Sequence, residues 1–73
     1  MTLNTLPEGK SATITAVNAD KELRNRFNSF GVVKGATVYA ERYTLAKQTM
    51  EIRINKTRMA LRLSEADKVQ ISQ

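Results

Sequence analysis

The strictest pattern in this chain runs from Thr49 to Asn55, where Met50, Ile52 and Ile54 alternate with Glu51, Arg53 and Asn55. A period of two turns every apolar side chain to one face, so the segment predicts a strand buried on one side. Thr57 to Leu63 repeats the alternation, with Met59, Leu61 and Leu63 inward. Asn55-Lys56 between them predicts a hairpin turn, because Asn enters positive φ more readily than most residues. A further strand is expected over Ala12 to Val17. Ala12 and Ile14 keep the alternation and Val17 breaks it, which implies a bulge near Thr15 or Ala16. After a turn opened by Gly35, Thr37 to Tyr43 would point Val38 and Ala40 inward, with Tyr39 and Tyr43 on the opposite face. Lys68 to Ser72 would close the chain with Val69 and Ile71 in the core, after a single tight turn at Ser64 to Asp67. Thr2 to Lys10 reads as an extended lead-in anchored by Leu3 and Leu6, with Pro7 and Gly9 bracketing a turn.

One stretch changes period. Over Lys21 to Phe30 the apolar residues Leu23, Phe27 and Phe30 fall at i, i+4 and i+7, the spacing of one helical face. Asp20 precedes it as an N-cap, and Gly31 stands where a left-handed C′ residue is wanted, with Val32 able to pack back on Phe27. Leu23, near the start, is expected to be the most exposed of the three. One helix between the first and second of about five short strands favours a small, strongly bent barrel that leaves few pairing edges open. The expected core comprises Ile14, Phe27, Phe30, Val38, Ile52, Ile54, Leu61, Val69 and Ile71. Gly9, Gly31 and Gly35 are read as turn glycines.

Seventy-three residues leave room for one domain, residues 1–73, whose core supplies only roughly 3–5 kcal/mol of net stability. There is no cysteine and no histidine, which removes disulfides, thiolate and imidazole metal sites, and the Cys-, His- or triad-based routes of catalysis. The acidic residues show no calcium-loop spacing, and the glycines lack the Gly-Lys-Ser/Thr ending of a phosphate loop. No catalytic residue, cofactor or metal site is therefore expected. The longest apolar runs are three residues, against the about 20 of a membrane helix. No secretory leader is evident, so the cytoplasm is the expected compartment. Twelve Lys and Arg against seven Asp and Glu give +5, which suits nucleic acid, an anionic membrane face or an acidic protein, and equally a merely soluble domain.

Taken in order, several short pieces resemble one family. They are Leu6 to Gly9 with Ala12 and Ile14, Arg26-Phe27, Phe30-Gly31-Val32, Gly35 and Val38. Met59-Ala60-Leu61-Arg62, Glu65-Ala66 and Val69 to Ile71 complete the set. The ordered spacings resemble those of the ferrous iron transport protein A (FeoA) family of small SH3-like barrels, over almost the whole chain. Ala46-Lys47-Gln48 lacks the usual Gly, Pro or Asp, and Asn55-Lys56 replaces a common Gly. The resemblance implies a mainly β SH3-like fold. It also implies a non-enzymatic accessory role in bacterial ferrous iron uptake, at the cytoplasmic side of the FeoB transporter with its GTPase domain. It does not imply that this chain itself binds iron.

The residues expected to meet a partner are Leu23, Arg26, Tyr39, Tyr43 and Arg62. Leu23 is a candidate for a hydrophobic pocket beside the helix. Tyr39 and Tyr43, flanking Arg42, could anchor an interface or stack bases, or simply cover the outer surface with their hydroxyls in water. Arg26 and Arg62 could pair structurally with a carboxylate such as Glu65 or contact an acidic partner. Two other functions stay in view. One is a basic nucleic-acid-binding barrel, against which the scattered charges and only four aromatic residues count. The other is an isolated regulatory module related to metal-dependent repressors.

Overall fold

The computed structural model describes residues 1–73. Strands β1 (Ser11–Val17), β2 (Thr37–Thr44), β3 (Thr49–Ile54), β4 (Thr57–Arg62) and β5 (Val69–Ser72) form one antiparallel sheet in the order β4-β3-β2-β1-β5. Helix α1 (Lys21–Ser29) joins β1 to β2, and the single-turn helix α2 (Leu63–Ala66) joins β4 to β5. The fold is the mainly β, SH3-like arrangement the sequence predicts. Its two outer strands, β4 and β5, do not pair with each other. The N-terminal segment, expected to be extended, instead makes a 3-10 turn at Leu3–Thr5 that seats Leu3 and Leu6 with no exposed surface.

The sheet bends at two bulges. In β1 the register shifts between Ile14 and Ala16, so Thr15 is the extra residue at the expected place. In β2 it shifts between Ala40 and Arg42, making Glu41 the extra residue. A one-residue slip moves every later side chain to the other face. Tyr43 therefore lies opposite Met50 and packs against the core. The expectation that Tyr43 shares an outer face with Tyr39 is corrected by this bulge. Strong bending lets one short sheet enclose Ile14, Val38, Met50, Ile52, Leu61 and Val69 around Phe27, while Ile54 and Ile71 are also buried.

Local chemistry sets the ends of α1. Asp20 Oδ1 accepts the Leu23 N–H at 2.9 Å, filling one of the orphan donors of the first turn. At the other end Gly31, at φ +84°, reverses the chain. The Val32 N–H reaches Phe27 O at 2.9 Å and the Gly31 N–H reaches Asn28 O at 3.1 Å, a Schellman closure that buries Val32. Asn55 adopts φ 56° in the β3–β4 hairpin, and Gln48 adopts φ 52° at the turn between β2 and β3.

Phe30 departs from its expected core position. The helix stops at Ser29, and Phe30, with φ −99° and ψ 1°, already lies off the helical path. Phe30 is 39 % exposed, so it belongs to the surface rather than the core.

Candidate functional site

The exposed ring of Phe30 opens onto a groove of about 610 Å³ between the end of α1, strand β4 and α2. Arg26 and Phe30 line one wall, Arg58, Met59, Ala60, Leu61 and Arg62 the other, and Glu65 one end. Each wall follows from local structure. Arg26 projects from the last turn of α1, and the chain reversal at Gly31 leaves Phe30 beside the hairpin (a Cβ on Gly31 would stand 3.6 Å from Ile54 Cγ2). Alternation along β4 buries Leu61 and half-buries Met59 while exposing Arg58, Ala60 and Arg62.

Glu65 organises the closed end of the groove. Its Oε2 accepts from Arg26 Nη2 at 2.8 Å and its Oε1 accepts the Arg62 N–H at 2.9 Å. Partial burial opposes ionisation of Glu65, but the Arg62 N–H and the Arg26 guanidinium outweigh it and hold the carboxyl below its ordinary value. The other carboxylates nearby are also occupied. Glu51 pairs with Arg42, and Glu41 Oε1 stands 2.8 Å from Arg53 Nη1. Neither Arg58 nor Arg62 forms a salt bridge, although the Arg62 charge acts on Glu65 and Arg58 shares a cleft with Glu41, Arg42 and Glu51.

Arg26 and Arg62 thus meet at one site. The other three expected contact residues do not join them. Leu23 is half-buried against the core, in a shallow cleft with Asp20, Glu22 and Lys68 that shares Arg26 and Glu65 with the groove. Tyr39 is half-buried beneath Arg53, whose guanidinium carbon sits 4.7 Å from the ring centroid, a cation–π contact that covers its face. Tyr43 donates its hydroxyl to Leu6 O at 2.5 Å, with Asn4 O at 3.2 Å. It ties the N-terminal turn to β2, and burial, with a smaller contribution from Glu8, pushes its ionisation up. Phe30 and, on β4, Arg58, Met59 and Ala60 are among the groove residues that sequence reasoning missed. Phe30 was assigned to the core on helical spacing, and nothing local to the other three marks β4 as an edge strand.

The arrangement offers apolar surface framed by guanidinium groups, and no group of three His, Cys, Asp or Glu side chains gathers to hold a metal. No helix is long and apolar enough to cross a membrane. Fold and site together define a small SH3-like module that carries an arginine-framed, partly apolar groove.

The FeoA domain model matches residues 1–73, and the chain belongs to the FeoA family, whose members serve ferrous iron transport in an accessory role. A Campylobacter jejuni relative assigned as Fe(2+) transport protein A is 35 % identical over 72 residues, covering 99 % of this chain and 97 % of the relative. The crystal structure of Stenotrophomonas maltophilia FeoA, a prokaryotic SH3 domain protein solved with zinc, superposes with a TM-score of 0.86 at 32 % identity, covering 99 % and 89 % of the two chains. A manganese-dependent transcriptional repressor contains the same fold at a TM-score of 0.89, but at 15 % identity and over 39 % of its own length. That likeness is one of fold alone.

Proposed function

We propose that residues 1–73 act as one non-catalytic module that docks on a FeoB-type ferrous iron transporter or its GTPase domain, at the cytoplasmic face of the membrane. The observation that carries this reading is the groove, in which a half-exposed aromatic ring is framed by Arg26, Arg58 and Arg62. Aromatic and arginine side chains are the types most enriched among residues that dominate protein interfaces. Its arginines favour encounter with an acidic surface, an attraction that weakens with salt. Tyr39 and Tyr43 do not supply a stacking platform for nucleic acid, because Tyr43 packs against the core and Arg53 covers the Tyr39 ring, which leaves Phe30 as the one exposed aromatic residue beside the arginines.

The test is a pull-down of the tagged chain from detergent-solubilised membranes, paired with Fe²⁺ uptake in a deletion strain. Wild type should retain the transporter, Phe30→Ala should retain much less, and the deletion should impair uptake. Unchanged uptake in the deletion strain, or no transporter on the tagged chain, would overturn the proposal.

A further inference from the structure

The two outer edges of the sheet are treated differently. Along β5 the chain covers its own edge, since the Ile71 N–H donates to Met1 O at 2.8 Å and Thr2 bridges to Gln70. Along β4 nothing does the same. In a hairpin closed by the two residues Asn55 and Lys56, the pair Ile54–Thr57 shares hydrogen bonds, and so, alternately, do Ile52–Met59 and Met50–Leu61. Arg58, Ala60 and Arg62 therefore turn their N–H and C=O groups away from β3. The Arg62 N–H is already taken by Glu65. The edge is left with a short open ladder at Arg58 and Ala60, beside Phe30.

Open edges invite pairing, and their side chains decide with what. Self-pairing of β4 would place Arg58 and Arg62 of one copy against those of another, and facing like charges disfavour it. The same two arginines form no salt bridge within the chain, while Glu41, Glu51 and Glu65 are each already paired with another arginine, so the edge keeps a positive excess that favours an acidic strand. Period-two geometry then sets the rest of the ligand. Alternate side chains would lie beside Arg58 and Arg62 on the outer face, and the intervening ones would face Met59 and Phe30. We propose that the partner segment is an extended stretch of alternating acidic and apolar residues that adds to β4 as a sixth strand. This rests on the docking role proposed above and specifies its mode.

A short peptide of alternating Glu and Val, titrated into the full chain, tests it by amide NMR and hydrogen exchange. Protection should appear at Arg58 and Ala60, binding should weaken with salt, and the Lys-Val peptide should not bind. The double variant R58E/R62E, exposed at both positions, should lose at least about tenfold in affinity. Ala60→Pro removes one outward N–H without altering charge and should abolish binding, with its fold checked by the same spectra. No binding, equal binding of the Lys-Val peptide, protection centred elsewhere, or protection of β4 that grows with protein concentration alone would each overturn strand addition. Exchange measured on the chain bound to solubilised transporter separates the two proposals. Capture of the transporter with β4 amides unprotected sinks strand addition and leaves docking. Peptide bound at β4 without transporter capture sinks docking and leaves the edge as an acidic-peptide site.

Discussion

Truncating Phe27 and Phe30 to alanine should have opposite consequences, although the two residues lie three apart and have the same side chain. Phe27 has no exposed surface and sits at the centre of the core. Phe→Ala at such a site costs about 3–5 kcal/mol, the lost transfer energy plus the cavity left behind. That equals the whole net stability expected of so small a core, so Phe27→Ala should be largely unfolded at room temperature. Phe30 is 39 % exposed. Full burial of a phenylalanine is worth about 1.5–3 kcal/mol, and the covered three-fifths of the ring scales this to about 1–2 kcal/mol. No closed cavity results, because the groove already opens to water. Urea unfolding followed by circular dichroism measures both. With a slope of about 1 kcal/mol per molar urea, Phe30→Ala should lower the midpoint by about 1–2 M and keep a cooperative transition. It should lose the transporter in a pull-down while still folded. The reasoning fails if Phe30→Ala unfolds as completely as Phe27→Ala, or if Phe27→Ala melts like wild type.

Three further outcomes are expected. Asp20→Ala removes the cap on the Leu23 N–H and should cost about 1 kcal/mol, read as a fall in Tm of about 4–8 °C; no change would show that water replaces the cap at no cost. The lowered ionisation of Glu65 contributes stability above the ordinary carboxylate range, and this is lost as pH falls through its folded value. Glu65→Gln should therefore be less stable at neutral pH and should lose less stability on acidification, and acid titrations of equal slope would refute this. Tyr43 ionises above its ordinary value, so its contribution holds below about pH 10 and fades as pH rises further. Tyr43→Phe should cost about 1 kcal/mol through the lost bond to Leu6 O and should remove the late step from the phenolate absorbance titration.

Reading the chain residue by residue reached the elements whose causes are local. Asp20 and Gly31 bound the helix through hydrogen bonds within a few residues of themselves. Met50, Ile52 and Ile54 mark a half-buried strand by alternation alone, and Asn55 marks its turn. Of the groove, Arg26 and Arg62 were singled out because they stand at positions that match the family pattern, whereas their meeting at Glu65 is a tertiary contact. Tyr43 and Phe30 were misplaced for one shared reason. In each case a single backbone step re-aimed a side chain: the bulge at Glu41, which no neighbour in sequence signals, and the end of the helix at Ser29, which Gly31 marks without fixing where the Phe30 ring then points.

The amino-acid order by itself determined a helix flanked by alternating strands, a chain without thiol or imidazole chemistry, and a basic surface. These depend on side-chain type and on spacings of two to four residues, which the backbone converts directly into faces. Tertiary structure decided which strand stands at the edge, which arginines keep a carboxylate and which lack one, and that Phe30 faces Met59 across a groove. Those facts depend on pairings between residues tens of positions apart, such as Arg26 with Glu65 and Met1 with Ile71, which exist only once the sheet has bent around its core.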